Sequence, residues 1–196
     1  MILYATKQTI ERYKLKLPEE FENPVMKSLV QAVMEKECGD SLLEWGVKLF
    51  YFDRRKCIQV CNFASRFTIV LVDVKVTVLE SVGDAIAQYM MDIYSEEVEV
   101  LKLLERFFKE SSLVCFSKLQ DRRVIASLNH MQTGYLEDGY RMYDYIENGV
   151  LQTRKLNKFI NTDYLVADKI NGKKEYFFPA ERFAELLKAR YKISGN

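Results

Sequence analysis

The chain has 196 residues, of which 48% are hydrophobic and 29% are charged, and its formal net charge is +1. This composition excludes an intrinsically disordered chain, and the balanced charge gives no overall attraction to nucleic acid or to an anionic membrane. No stretch approaches the roughly 18 consecutive apolar residues that a membrane helix needs. We therefore expect one globular domain over residues 1–196.

The N-terminal residues and the cysteines together predict a cytoplasmic protein. Charged residues begin at Lys7, so the chain start lacks the apolar core of a secretory signal peptide. The cysteines lack the second matched pair of a zinc site, and we expect them to be reduced, buried and structural. The four are Cys38, Cys57, Cys61 and Cys115.

Two elements are predicted before the central part of the chain. The first is a short strand at Met1–Thr6. The second is a helix that begins at Asn23 and Pro24, because Asn is a favoured N-cap and Pro suits the first helical position. Gly39 stands where a glycine commonly follows a helix. The predicted apolar face of this helix consists of Val25, Met26, Leu29, Val30 and Val33.

Residues 47–72 predict the sheet that organises the chain. Side chains alternate in character over residues 47–52 and 56–62, with a short polar break at 53–55. Strands separated by about three to five polar residues favour an antiparallel meander. Residues 67–72 are almost continuously apolar, which is typical of a strand covered on both faces. We therefore expect this third strand at the centre of the sheet.

Helical spacing returns after the sheet. It predicts one helix from about residue 80 to residue 93 and a second helix that Ser95 caps and that runs to Phe108. Residues 113–117 predict a short strand.

A longer helix is predicted from Asp121 to Ile146. Gly134 and Gly139 fall inside it, and glycine costs about 1 kcal/mol relative to alanine in a helix. We therefore expect the helix to break or bend at these glycines.

The last part of the chain leaves one element open. Residues 151–160 fit either a short helix or a loop. Asn171-Gly172 predicts a hairpin turn, and Pro179 predicts the start of a final helix. The predicted fold class is therefore α+β: a single domain in which an antiparallel sheet, built on a meander around residues 47–72, has helices packed on it.

Single positions spread along much of the chain carry a resemblance to a known family. They are Trp45, Leu49-Phe50, Arg54-Arg55, Asn62-x-x-Ser65, Phe107, the segment from Asp121-Arg122-x-Val124 to Ser127-Leu128-Asn129, and Leu156-Asn157. In this order they resemble an uncharacterised family of small bacterial proteins, described only as a domain of unknown function. The resemblance implies a bacterial cytosolic protein from a mobile element or a defence neighbourhood, and it carries no established activity.

A polar set coincides with these positions and is the first candidate site. It consists of Asn62, Ser65, Arg122 and Asn129, together with the aromatic Trp45. Convergent polar side chains can form a binding pocket. Buried polar side chains can equally satisfy the backbone groups of loops. The sequence leaves both interpretations open.

A basic tripeptide and a group of tyrosines are the other candidates. Arg54, Arg55 and Lys56 lie at the predicted hairpin tip beside aromatic residues, a combination that can bind nucleic acid, although charged hairpin tips are also ordinary solvated surface. Exposed tyrosine is favoured at protein interfaces, and a partner face is therefore predicted. Its candidate residues are Tyr135, Tyr140 and Tyr143.

The sequence shows no convincing catalytic set. His130 is the only histidine, no nucleophile motif accompanies it, and no phosphate-binding glycine pattern exists, so we expect no cofactor and no metal. The leading hypothesis is a non-catalytic binding or regulatory protein, such as an inhibitor, that acts through a protein partner. The second is a nucleic-acid-binding accessory protein that uses the hairpin tip. The third is an enzyme with a polar pocket near Asn62, Arg122 and Asn129.

Overall fold

The sheet of the protein is mixed and has five strands. The computed structural model describes residues 1–76, 79, 81–111, 113–136, 141–170 and 172–192. The strand order is β4-β3-β2-β1-β5, with β1 parallel to both β2 and β5, and with β3 antiparallel to β2 and β4. The predicted antiparallel meander is thus confirmed. The strands are β1 (Ile2–Ala5), β2 (Glu44–Phe52), β3 (Arg55–Asn62), β4 (Thr68–Val72) and β5 (Cys115–Lys118).

Helices lie on both faces of this sheet, which confirms the α+β class. None of the described helices is long and apolar enough to cross a membrane. The helices are α1 (Lys7–Tyr13), α2 (Pro24–Glu37), α3 (Val82–Ile93), α4 (Val98–Glu110), α5 (Arg122–Leu136), α6 (Thr153–Thr162) and α7 (Pro179–Lys192). Two small hairpins are also present, β6 (Ile146–Glu147) with β7 (Val150–Leu151), and β8 (Val166–Ile170) with β9 (Lys173–Phe177), as are two 3-10 helices at Pro18–Glu20 and Tyr143–Tyr145.

The prediction that residues 67–72 form the centre of the sheet is wrong, because β4 is an edge strand. Its apolar character has another cause: α6 covers the edge. The Asn157 side chain accepts a hydrogen bond from the Val70 amide at 2.7 Å and donates to the Val70 carbonyl at 3.1 Å. Asn161 does the same for Thr68, at 2.8 and 2.7 Å. Two carboxamides one helical turn apart therefore replace a sixth strand.

Several local expectations are confirmed. The Asn23 side chain caps α2 by accepting hydrogen bonds from the amides of Val25 and Met26 at 2.9 and 3.3 Å. The β2–β3 turn has φ of 48° at Asp53 and 64° at Arg54, the pair of left-handed residues that a tight hairpin requires. The two predicted helices between residues 82 and 110, the short strands near the N-terminus and near residue 115, and the final helix also form. Residues 151–160, which fitted either a helix or a loop, fall largely within helix α6.

Other local expectations are wrong for identifiable reasons. Helix α5 continues through Gly134 to Leu136, and a Cβ atom at Gly134 would lie 2.6 Å from the Tyr164 hydroxyl oxygen, so the glycine provides space for a close contact. The predicted extension of this helix to Ile146 is wrong, because Tyr143–Tyr145 form a 3-10 helix and Ile146 begins a strand. Helix α4 begins after Glu97, with no side-chain cap from Ser95. The predicted positions Gly139 and Asn171 lie outside the described residues.

The two faces of the sheet are packed differently. The closed face carries Trp45, Val47 and Leu49 from β2, and α3, α4 and α7 cover it to form one continuous hydrophobic core. The open face carries Tyr4 and Gln59, and its buried residues form two separate clusters, one under α5 and α6 and one under α2. The gap between these two clusters is the surface on which a candidate site lies.

Candidate functional site

The structure places Trp45 on the closed face, opposite its strand partner Asn62 and on the other side of the sheet from Arg122 and Asn129. The indole is fully buried and packs against Phe67 and Phe183, with ring centroids 6.5 and 6.2 Å apart. Its Nε1 group makes no hydrogen bond with any described residue. Trp45 is therefore a core residue.

Asn62 and Ser65 are buried and shape the turn between β3 and β4. The Asn62 amide nitrogen donates to the carbonyl oxygens of Leu42 and Glu44, and its oxygen accepts from the Ser65 amide at 3.0 Å. The Ser65 hydroxyl in turn accepts from the Phe67 amide at 3.1 Å. This geometry supports the interpretation in which the two side chains satisfy loop backbone groups.

Arg122 and Asn129 lie on the exposed side of α5, so the five predicted residues do not converge on one pocket. Asn129 has a specific contact, because its amide oxygen accepts a hydrogen bond from Lys48 Nζ at 2.6 Å. Gln132 accepts a second hydrogen bond from the same ammonium group. Burial lowers the pKa of Lys48, and these two amides hold its ammonium group between β2 and α5.

The basic tripeptide lies at the β2–β3 hairpin tip, as predicted. Arg54 is exposed, whereas Arg55 is half-buried and forms an ion pair with Asp73 at 3.8 Å. Asp53 is part of the same turn, so acidic groups offset part of the local positive charge. Lys56 is half-buried, and the nucleic-acid hypothesis for this tip stays a prediction.

The predicted tyrosine face is only partly described. Tyr143 is 46% exposed, and its ring stacks at a tilt on Phe52 with centroids 4.6 Å apart. Tyr135 belongs to α5. Tyr140 lies outside the described residues. A partner face at these tyrosines remains a prediction.

A groove on the open face is the main cavity beside the predicted residues. It has a volume of about 570 Å³ and lies between the start of α5 and the end of α2. Tyr4 and Phe63 form its floor, and their rings stack with centroids 5.4 Å apart. Met34 belongs to α2 and Cys38 directly follows this helix, and residues 117–121 form the opposite wall. We call this cavity the groove.

The polar groups of the groove are a phenol, a carboxylate and a thiol. The Tyr4 hydroxyl donates to Glu44 Oε1 at 2.9 Å, and the Gly39 amide donates to the same oxygen at 2.9 Å. Burial and the adjacent Glu44 carboxylate raise the pKa of Tyr4, so the phenol remains a neutral donor. Cys38 Sγ lies 3.9 Å from the Tyr4 hydroxyl. The prediction that all four cysteines are buried is wrong for Cys38, which is exposed.

The groove continues beyond this polar cluster. A second cavity of about 400 Å³ shares four lining residues with it and extends along α2 to Lys27 and Gln31. The exposed Val25 and Leu29, which were predicted to face inward, lie on the other side of α2 from these residues by helical spacing. The groove is therefore an elongated trough with one acidic, aromatic end.

Two of the predicted site residues are direct neighbours of groove residues along the chain. Glu44 precedes Trp45 and Phe63 follows Asn62 along the chain. Successive residues of a strand point to opposite faces, so a shift of one position exchanges a core residue for a groove residue. The signal that was available is Glu44 itself, an acidic residue at the start of an apolar strand.

The groove has the chemistry of a binding surface. Within the described residues, no three His, Cys, Asp or Glu side chains are placed to hold a metal ion. The oriented carboxylate and the aromatic floor can hold a ligand by charge, hydrogen bonds and stacking.

Comparison with known proteins identifies a family. A family model described as a domain of unknown function matches residues 2–182. No curated protein and no solved structure matches the chain.

Proposed function

The chain belongs to the DUF6933 family, a domain of unknown function, and on this premise we propose that it is a non-catalytic binding protein that holds a protein partner in the groove. The groove itself carries the proposal: it is an uncovered trough on a sheet whose other face is fully packed. Concave surfaces with a few convergent polar groups are where proteins bind their ligands.

The free edge of the sheet favours a polypeptide as the occupant. The amides of Cys115 and Leu119 donate to the carbonyls of Met1 and Ala5, at 3.1 and 2.9 Å. By alternation along a strand, the main-chain groups of Phe116 and Lys118 point away from β1. Because β5 is an edge strand, no other described strand pairs with these groups. Unpaired main-chain groups beside a groove match the backbone of an extended partner segment.

The proposed setting is the cytoplasm of a bacterium, where free thiols persist. The proposed role is regulatory: a bound partner whose activity changes on binding would make the protein its regulator or inhibitor. A partner from a mobile element or a defence system would identify the pathway.

The experiment that tests this proposal blocks the groove at Cys38. The tagged protein is treated with a bulky maleimide, which reaches Cys38 because the other three cysteines are buried. Treated and untreated proteins are then used to capture partners from a lysate of the native host, with and without nuclease. We expect a stoichiometric protein band that survives nuclease and disappears after maleimide treatment.

The matched control is Cys38→Ser treated with the same maleimide, which should keep the band because no label enters the groove. A band that is equally strong with Cys38 labelled would refute the groove as the binding surface. Recovery of nucleic acid, with loss of all protein bands after nuclease, would favour the hairpin tip instead, and Arg54→Ala with Arg55→Ala should then weaken the salt-dependent binding.

A further inference from the structure

We infer that the groove recognises its partner by a cationic side chain, an arginine or a lysine, that binds Glu44. This inference rests on the proposed function and adds the chemical class of the group that enters the groove. Four observations lead to it: the orientation of Glu44, its unused oxygen, the aromatic floor and the charge of the lining.

Glu44 is fixed in place with half of its carboxylate unused. Oε1 accepts hydrogen bonds from the Tyr4 hydroxyl and the Gly39 amide, both at 2.9 Å. Oε2 accepts none from any described residue. An oriented carboxylate loses little side-chain entropy on binding, and a charge-assisted hydrogen bond is stronger than a neutral one.

The floor of the groove adds attraction for a cation. The stacked rings of Tyr4 and Phe63 lie beside Glu44 in the same cavity. Aromatic faces attract ammonium and guanidinium groups, and a guanidinium can also stack on them. A carboxylate next to an aromatic pair therefore selects a basic side chain over a neutral one.

The lining around Glu44 has acidic character. In this first cavity the charged residues are three carboxylates, Glu19, Glu44 and Asp121, and one ammonium group, Lys118, while Lys27 lies at the far end of the trough. Lys118 forms no ion pair with a described acidic residue, so it does not neutralise Glu44. The net negative lining attracts a positively charged segment and repels an acidic one.

The test uses four short peptides with one variable central residue: arginine, lysine, citrulline or glutamine, each flanked by glycine and serine and blocked at both ends. Citrulline has nearly the shape of arginine without its charge. Each peptide is titrated into ¹⁵N-labelled protein, and the amide signal of Gly39, which donates to Glu44, reports binding. We expect saturable shifts with arginine and lysine and none with citrulline or glutamine.

The matched variant is Glu44→Gln. Its amide oxygen can still accept from Tyr4 and Gly39, so the loop keeps its hydrogen bonds while the charge is lost. We expect it to weaken the arginine peptide about tenfold, the loss expected for removing the charge from a hydrogen-bonded pair. The control Glu99→Gln removes an exposed carboxylate of α4, whose only ion pair is a 3.9 Å contact to Lys188 among the described residues, and should leave binding unchanged.

The outcomes separate this inference from the proposed function. Equal shifts with arginine and citrulline, no shift with any peptide, or undiminished binding to Glu44→Gln would each overturn the cationic anchor, even if maleimide at Cys38 still blocks partner capture. A partner that is captured regardless of the Cys38 label would refute the proposed function, even if the arginine peptide binds. Stronger binding of the arginine peptide than of the lysine peptide would support recognition of the planar guanidinium group.

Discussion

The closed and open faces of the sheet are covered by helices in different ways. On the closed face, α3, α4 and α7 surround a set of aromatic rings from the sheet and the helices, including Trp45, Phe67 and Phe183. On the open face, two helical layers stand apart, and polar side chains such as Lys48 and Gln59 enter the sheet surface. The difference indicates that more of the apolar packing lies on the closed face, while part of the open face is left uncovered as the groove.

The largest expected effect comes from removing an aromatic ring of the closed face. Phe183 is fully buried among Trp45, Phe67 and Phe107, with centroids 5.7 to 6.2 Å away. Phe183→Ala should lower the free energy of unfolding by about 4 kcal/mol, since it leaves a large cavity. Urea denaturation measures this loss. Tyr176→Ala, at a side chain that is 59% exposed, should change stability by less than about 0.5 kcal/mol.

If Tyr176→Ala lowered the free energy of unfolding as much as Phe183→Ala, the closed face would not be the main source of stability.

The next effect should come from the covered edge of β4. Asn157→Ala would leave the buried amide and carbonyl of Val70 without partners. Because each unsatisfied buried group costs about 1–3 kcal/mol, we expect a loss of about 3 kcal/mol. Thermal and urea unfolding both report it. Lys158→Ala, the next residue of α6 and an exposed one, is the control, and an equal loss there would show that the amide contact to Val70 is not responsible.

A smaller effect of opposite sign is expected at Gln59. This side chain is fully buried on the open face, and neither its oxygen nor its nitrogen has a partner among the described residues. Gln59→Leu should stabilise the protein by about 1 kcal/mol, because an apolar side chain of similar size removes an unpaired polar group. Gln132→Leu should not, since that residue binds Lys48. Destabilisation by Gln59→Leu would indicate a polar partner, such as a bound water.

The smallest expected effect concerns the reactivity of the four cysteine thiols, which reports how accessible the open face is. Burial raises the pKa of Cys57 and Cys115 to about 11 and raises that of Cys61 as well. At pH 8 a thiol with a pKa near 11 is about one thousandth thiolate, and only the thiolate reacts. We expect one rapid equivalent with a disulfide reagent in the native protein, assigned to Cys38 by its absence in Cys38→Ser, and four after denaturation. More than one rapid equivalent would mean that the open face is less packed than described.

Sequence reasoning recovered what local chemistry dictates. The Asn23 cap, the tight turn at Asp53 and Arg54 and the antiparallel meander follow from residue types within a few positions of one another. The family resemblance was also found in the sequence and is confirmed by the match over residues 2–182.

What the sequence could not supply depends on distant contacts. The sequence of β4 does not indicate an edge strand, because Asn157 and Asn161 bind the main-chain groups on its outer side and allow it to be apolar and buried. The groove is assembled from β1, α2 and residues 117–121. Periodicity within one segment does not indicate which other segment leaves a gap beside it.

The carboxamide pair that covers β4 also bears on how the protein behaves at high concentration. An exposed edge strand is a template on which a second chain can add. The four buried residues of β4 are all apolar or β-branched, which favours such pairing. Asn157 and Asn161 occupy the hydrogen-bonding groups that such a chain would use. Loss of either residue should therefore cause concentration-dependent self-association in addition to lowering the free energy of unfolding. The fate of such a variant in a cell would then depend on its abundance as well as on its stability.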